Sequence, residues 1–232
     1  MPSNWSKGFT KETHPSVKKI STTMKKRKLD NFYQWREEMK KAGKIPSVYP
    51  PFKKNGDLAE LLGVVLGDGH IGKFPRTEAL RIAANANHKG FINRYAMLVE
   101  KIFGKRPHIS KRTSTNCTNI TIYQKNISKR LEIPSGARKN RQITLPRWIS
   151  KNRNYTIRYL RGLYEAEGSY CIHEPTSTYK FFFANVNHSM LNNVYNLTLR
   201  LGFHPNMSGH RIQISRRSEV ENIRKLLQFR QY

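Results

Sequence analysis

The apolar positions of the chain fall into two series of the same kind. A polar stretch ends near residue 55. Apolar residues then run at helical spacing through LLGVVLG (61–67), with Asp57 as the expected N-cap. HIGKF and ALRIAAN alternate as paired strands do. HKGFINRYAMLVEKIFG carries Phe91, Tyr95, Leu98 and Ile102 on one helical stripe and closes on glycine. RPHISKR and CTNITIYQ read as a second hairpin, and NISKRLEI as a short helix. The first series is therefore α-β-β-α-β-β-α over 56–133. A connector, PSGARKNRQITLPRWISKNRN (134–154), leads to the second series over 155–232. There YTIRYLRGLYEAEG is helical, and SYCIHEP and TYKFFFANV are strands. SMLNNVYNLTLRLGF puts Leu191, Val194, Leu197 and Leu201 on one stripe, HPNMS pairs with RIQIS, and SEVENIRKLLQF closes the chain.

The two series share more than their order. LLGVVLGDG (61–69) and LRGLYEAEG (160–168) each carry small residues four apart, Gly63/Gly67 and Gly162/Ala166, and each end in an acid and a glycine. The offset is 99 for the glycines (162 − 63) and for the acids (167 − 68). ANANH (84–88) and ANVNH (184–188) repeat at an offset of 100 (184 − 84). Two matches at nearly one offset indicate a duplicated unit. The small-residue faces predict that the two helices pack against each other, which brings Asp68 and Glu167 into one site.

Residues 1–55 are different: basic, polar and almost without apolar periodicity. A helix is expected over 30–42, with Asp30 as N-cap, Phe32, Trp35 and Met39 on one face, and Lys40, Lys41 and Gly43 at its end. The three prolines of KIPSVYPPFKKNG make an extended linker. The segment reads as a DNA-tracking arm; a disordered basic tail is the plainer alternative.

Forty-three Lys and Arg against 15 Asp and Glu give a formal charge of +28 and a pI near 10.4. Self-repulsion on that scale implies a polyanionic partner, and nucleic acid is the usual one. Cys117 and Cys171 sit apart in strand-like runs and form neither a zinc pattern nor a disulfide framework. No stretch approaches 18 apolar residues and no apolar signal region follows Met1, so no membrane partner is expected. The expected setting is intracellular, cytoplasmic and reducing.

A carboxylate at a helix C-terminus faces the negative end of the dipole. Two of them at about 4 Å repel by about 4 kcal/mol at an effective dielectric near 20. A cation between them removes that cost. A few oxygen ligands suit Mg²⁺, which keeps waters and takes phosphate oxygens as further ligands. With a polyanionic partner the natural reaction is metal-assisted phosphodiester hydrolysis.

LLGVVLGDG and LRGLYEAEG resemble the two signature helices of the LAGLIDADG homing endonucleases in their single-chain, two-motif form. The resemblance covers roughly 57–232. LPRWI before the second motif and GSY after it strengthen it; Leu66 departs from it, standing where the motif has aspartate and where the second half has Glu165. The implied fold is α+β: two pseudo-symmetric αββαββα halves packed through the motif helices, with paired antiparallel sheets forming a DNA-binding saddle. The implied activity is Mg²⁺-dependent double-strand cleavage of a long asymmetric DNA target by a monomer, leaving 3′ overhangs. The resemblance makes Asp68 and Glu167 the catalytic, metal-binding acids, with the backbone carbonyls of Gly67 and Ala166 as further ligands. It places water-ordering residues at Asn85 and Asn185. It places a basic residue near the scissile phosphates at Lys125 and, in the second half, at Arg217 or Arg216. The arm segment GFTKETHPSVKKISTTMKKR resembles a short modular DNA-binding motif appended to homing nucleases.

Strand alternation nominates base-reading residues. In the first half these are His70, Lys73, Arg76, Arg81, Lys111, Arg112, Asn119 and Thr121. In the second they are His173, Thr178, Lys180, His210 and Gln213. A register slip of one residue inverts such a list. The competing function on the same scaffold is an intron maturase, with its host intron RNA as partner, or a DNA-binding regulator without cleavage. A zinc nuclease built on His88 and His188 is disfavoured, because both sit at helix starts with no ligand set around them.

Overall fold

The computed structural model describes residues 6–27, 29–30 and 32–232; the expectations that touch residues 1–5, 28 and 31 of the arm lie outside the described residues. The chain divides into two compact units, residues 1–49 and 50–232.

The first unit carries α1 (Pro15–Lys26) and α2 (Tyr33–Lys41). The apolar pattern does not predict α1. Its start sets it: Pro15 opens the helix with a fixed φ, and His14 Nδ1 accepts from Ser16 N at 3.2 Å. Helix α2 forms within 30–42 as expected, but Phe32 precedes it. Asp30 accepts instead from Phe32 N at 3.2 Å and pairs with Arg36. Neither helix buries a residue, and Phe9, Ile20, Phe32, Tyr33 and Trp35 are exposed.

The second unit is the duplicated body. Its first half runs α3 (Gly56–Asp68), β1 (Gly69–Lys73), β2 (Glu78–Asn85), α4 (Lys89–Phe103), β3 (His108–Lys111), β4 (Cys117–Gln124) and α5 (Ile127–Leu131). The connector contains α6 (Arg147–Ser150). The second half runs α7 (Arg153–Glu167), β5 (Gly168–His173), β6 (Thr178–Ala184), α8 (His188–Arg200), β7 (Asn206–Ser208), β8 (Arg211–Ile214) and α9 (Arg217–Leu227). Each half forms one antiparallel sheet, ordered β1-β2-β4-β3 and β5-β6-β8-β7. The expected αββαββα order is present twice. No helix of the described residues is long and apolar enough to cross a membrane.

The body begins earlier than the apolar pattern suggests. Phe52 meets Phe103 edge-on at 4.9 Å, and the Arg130 guanidinium lies 3.7 Å over the Phe52 ring while its Nε donates to Pro50 O at 2.8 Å. A lone aromatic between prolines and lysines has no periodicity, so residues 50–55 read as linker although they pack on the body. Helix α3 is capped by Asn55, whose side chain accepts from Leu58 N at 2.9 Å. Asp57, the expected cap, lies in the first turn and pairs with Lys101 at 2.5 Å and Arg158 at 2.7 Å.

Helices α3 and α7 form the centre. A β-carbon on Gly63 would lie 2.2 Å from Tyr159 O, and one on Gly162 would lie 2.2 Å from Glu60 O. Only glycine at both positions allows this backbone-to-backbone crossing. Leu61, Val64, Val65, Tyr159, Leu163 and Tyr164 are fully buried around it. The inward sheet faces complete the core with Ile71, Leu80, Ile82 and Ile120 in one half, and Phe181, Phe183, Ile212 and Ile214 in the other. Tyr164 stacks on Phe181 at 4.5 Å.

The same helix pair buries a charge network near the N-terminal end of α3. The fully buried Glu60 is paired with Arg94 at 2.6 Å and Arg158 at 2.5 Å, with Arg161 at 3.8 Å. The connector is also fixed rather than loose. Asn187 donates to Arg138 O at 2.7 Å and Arg141 O at 2.8 Å, Asn193 donates to Ile143 O at 2.9 Å, and Ile143 and Ile149 are buried. Helix α7 starts inside the expected connector, at Arg153, with Asn152 as its cap.

Candidate active site

Helices α3 and α7 end together in Asp68 and Glu167. The chain then turns directly into β1 and β5 at Gly69 and Gly168. A β-carbon at Gly69 would come within 2.5 Å of Val65 O, and one at Gly168 within 2.3 Å of Tyr164 O. Glycine is therefore required for a strand to leave each helix at once and fix the acid beside the crossing. At Gly67 a β-carbon would lie 2.5 Å from Ala166 Cβ and 3.1 Å from Glu167 Cγ, so the two acid-bearing ends touch.

Burial raises the Asp68 carboxyl from its ordinary 3.8 to about 7, and the charge of Glu167 adds to the effect. Burial raises Glu167 as well. Among the described residues, no lysine or arginine pairs with either acid, although 43 are present in the chain. Two crowded carboxylates without a counter-ion cost folding energy, and a divalent cation removes that cost. The described residues contain no group of three or more His, Cys, Asp or Glu that could hold a metal ion. The side-chain donors at the paired helix ends are the two carboxylates. That suits a hard cation keeping waters and phosphate oxygens, and not zinc.

The repeated asparagines do not occupy equivalent places. Asn185 Nδ2 lies 3.5 Å from Glu167 Oε1, and its Oδ1 accepts from Asn187 N at 2.9 Å. Asn85 makes the same turn bond to Asn87 N at 2.9 Å, but it is exposed and accepts from Asn116 Nδ2 at 3.2 Å. The ladder explains the difference. In the first half Asn85 itself pairs with Cys117, and Ala86 N donates to Asn116 O. In the second the pairing stops at Ala184 and Arg211, and Asn185 N donates to His210 O. The sequence repeat is slipped by one residue against the strands.

Lys125 is exposed in the turn between β4 and α5. Arg217 opens α9, bonded to Glu221 at 3.4 Å with its guanidinium 5.1 Å from the Tyr179 ring, and Arg216 bonds Glu219 at 3.0 Å. Both arginines are thus engaged locally.

Register sorts the base-reading candidates. His70 pairs with Arg81, Arg81 with Thr121 and Ala83 with Asn119, so these share the outward face. Thr121 and Asn119 are only 5% and 8% exposed there. Lys73 and Lys111 fall in the opposite, helix-side set: Lys73 pairs with Glu78, which bonds Ser128, and Lys111 pairs with the buried Thr118. Lys73 shares the parity of Ile71, and Lys111 that of Ile109, so alternation within each strand already sets them on the core side. Arg76 is in the β1–β2 turn, and Arg112 lies just past β3. In the second half His173, Thr178, Lys180 and Gln213 share the outward face, and His210 is in the β7–β8 turn. Sequence reasoning misses His108, Ser110 and Tyr123 on the first outward face, and Ser169, Cys171, Phe182 and Arg211 on the second. Arg211 lies over the Phe182 ring at 4.7 Å. These residues follow from ladder register, which alternation alone leaves undetermined.

No protein-family model matches the chain, and no curated protein does. Solved structures do. A structure of mesophilic variants of the homing endonuclease I-DmoI superposes with a TM-score of 0.53 at 17% identity, over 74% of this chain and 94% of that one. I-DmoI in complex with DNA and Mn superposes with a TM-score of 0.50 at 16% identity, over 74% of this chain and 96% of that one. The N-terminal LAGLIDADG domain of DUF199/WhiA superposes with a TM-score of 0.50 at 15% identity, over 76% and 83%.

The chain has the two-domain LAGLIDADG fold. In that fold α3 and α7 are the signature helices, and the touching ends of these helices are where Asp68 and Glu167 stand. The Leu66 departure has a structural meaning as well. Leu66 is buried, whereas its counterpart Glu165 is tied to Arg230 N at 2.6 Å and to the Tyr232 hydroxyl. Glu165 therefore fastens the C-terminal segment.

Proposed function

We propose that this protein is a site-specific endonuclease that uses a divalent cation, Mg²⁺ by its chemistry, to cut both strands of a long asymmetric DNA target. The observation that carries this reading is the acid pair: Asp68 and Glu167, half-buried and side by side, raised by burial and without a basic partner among the described residues. A scaffold that only binds DNA or RNA has no need of two mutually repelling carboxylates.

Asp68 and Glu167 hold the cation, with the carbonyls of Gly67 and Ala166 adjacent. A divalent cation bound there supplies charge neutralisation and polarisation of the scissile phosphodiester. Asn185, beside Glu167, orients attacking water. Lys125, exposed in its turn, offsets charge on the phosphorane, with Arg217 the weaker counterpart because it is engaged by Glu221. Asn85 orders water at the other site only through its exposed end. His70, Arg81, His173, Lys180, Gln213 and Arg211 project from the outward sheet faces to the duplex. The charge of +28 fits that partner. One chain carries both halves, so a monomer suffices, and the unequal acids match an asymmetric target.

I-DmoI is a homing endonuclease seen with DNA and Mn, which supports the reading, although a fold by itself does not assign an activity. The test is to incubate the full chain with a random duplex library and Mg²⁺ and sequence the new ends. A single recovered site, cut in both strands with 3′ overhangs, supports the proposal. Retention of duplexes without any new ends favours a maturase or regulator.

A further inference from the structure

The backbone on both sides of Asp68 is gripped by an arginine from outside its own half. Arg138, in the connector, donates Nη2 to Val65 O at 3.0 Å, Leu66 O at 3.4 Å and Gly69 O at 2.5 Å. These are the last carbonyls of α3 and the first of β1. No side chain of the described residues donates to the Asp68 carboxylate or the Gly67 carbonyl between them. Arg138 is itself held by the second half, through Asn187 Nδ2 on its carbonyl at 2.7 Å.

The second half reaches the same end by a related path. Glu132 and Gln228 close α5 and α9 in the left-handed conformation, with φ of 56° and 49°. Ile133 and Phe229 follow, both buried, with their N–H groups on Ser128 O and Arg224 O. Beyond that matched pair an arginine follows in each series, Arg138 in the connector and Arg230 in the C-terminal tail. Arg230 N donates to Glu165 Oε1 at 2.6 Å, and its Nη2 lies 3.5 Å from Gly168 O. Arg161 secures the same tail through Gln228 at 2.6 Å and Gln231 O at 2.9 Å.

A cation at a helix C-terminus offsets the dipole and satisfies orphan carbonyls. An ordinary cap does no more than that. Here the Arg138 grip falls on residues either side of Asp68 and does not touch its carboxylate. Partners that fix a metal ligand from behind typically govern metal affinity by about 10–100-fold.

We propose that Arg138 is a positioning residue, clamping the end of α3 so that Asp68 is held ready for a divalent cation. The proposal rests on the metal-dependent reading above. It is tested with full-length Arg138→Met, Arg138→Lys and Arg230→Met on the recovered duplex. Two quantities are measured: Mn²⁺ binding to the protein–DNA complex by electron paramagnetic resonance, and nicking of each strand separately. Arg138→Met weakens Mn²⁺ binding by about 10-fold or more and slows mainly one strand, whereas Arg230→Met, which keeps the main-chain bond to Glu165, changes Mn²⁺ binding and either strand much less. Arg138→Lys keeps the charge but cannot span three carbonyls, so it falls between wild type and Arg138→Met, and it serves if the methionine variant does not fold. Unchanged Mn²⁺ affinity in Arg138→Met, or equal slowing of both strands in step with lost stability, overturns the proposal and leaves a plain helix cap. Wild-type Mn²⁺ binding by an Asp68→Asn control instead shows that the active-site reading itself has failed.

Discussion

Gly63 and Gly162 face each other's helix so closely that a β-carbon on either would sit 2.2 Å from a main-chain oxygen of the other helix. Backbone cannot step aside as a flexible side chain can. Gly63→Ala and Gly162→Ala each gain about 1 kcal/mol of helix propensity and lose more to the clash. A net loss of about 3 kcal/mol is expected for each. For a domain of this size that is roughly 6–12 °C in melting temperature. Thermal unfolding followed by circular dichroism checks it, and a rise in melting temperature contradicts the crossing geometry.

The same crossing encloses Glu60, fully buried against Arg94, Arg158 and Arg161. Removing one partner of a buried ionic network leaves uncompensated charge. Glu60→Ala therefore costs about 3–5 kcal/mol, and added salt recovers little of it because the group is shielded from solvent. Chemical denaturation of the variant at low and high ionic strength measures both effects.

The acid pair makes stability depend on pH in a defined direction. Asp68 titrates at about 7 in the folded metal-free protein, against an ordinary 3.8. Between those values the folded state binds more protons than the unfolded one, so stability falls as pH rises from about 4 to about 7. Glu167 shifts the same way. Asp68→Asn removes the penalty. Without metal at pH 8 it melts higher than wild type, by roughly 8–16 °C, and at pH 4 the two nearly coincide. Saturating Mg²⁺ raises the melting temperature of wild type and leaves the variant nearly unmoved. A wild-type protein more stable at pH 8 than Asp68→Asn, without metal, contradicts the assigned burial.

Much of this architecture is legible in the sequence because duplication prints it twice. The acid–glycine ends and the small residues four apart locate both signature helices, and alternation locates the strands. What stays hidden depends on long-range partners. Glu60 reads as a polar residue in an apolar helix, since its arginines come from two other helices. Arg138 reads as one of many connector charges, because the carbonyls it grips lie some 70 residues away, at separations of 69 to 73. Asn85 and Asn185 look equivalent, yet a one-residue difference in pairing separates their places. Lys73 lies three positions from His70 on one strand, so no single register turns both outward.

The arm carries charge without a core: α1 and α2 bury no residue, α1 carries four lysines, and α2 carries Arg36, Lys40 and Lys41. If it tracks the duplex, removing residues 1–49 weakens binding and flattens its salt dependence. The log–log slope falls by about 0.9 for each phosphate that the arm neutralises. Fluorescence anisotropy across a salt series measures this, and an unchanged slope removes the arm from the interface.

The central claim is that Asp68 and Glu167 form a metal-dependent cutting site. The most direct measurement compares Asp68→Asn and Glu167→Gln with wild type on one labelled target, recording binding in Ca²⁺ and cleavage in Mg²⁺. The account predicts that both variants bind as wild type does while double-strand cleavage is abolished. Cleavage at the wild-type rate by either variant contradicts it.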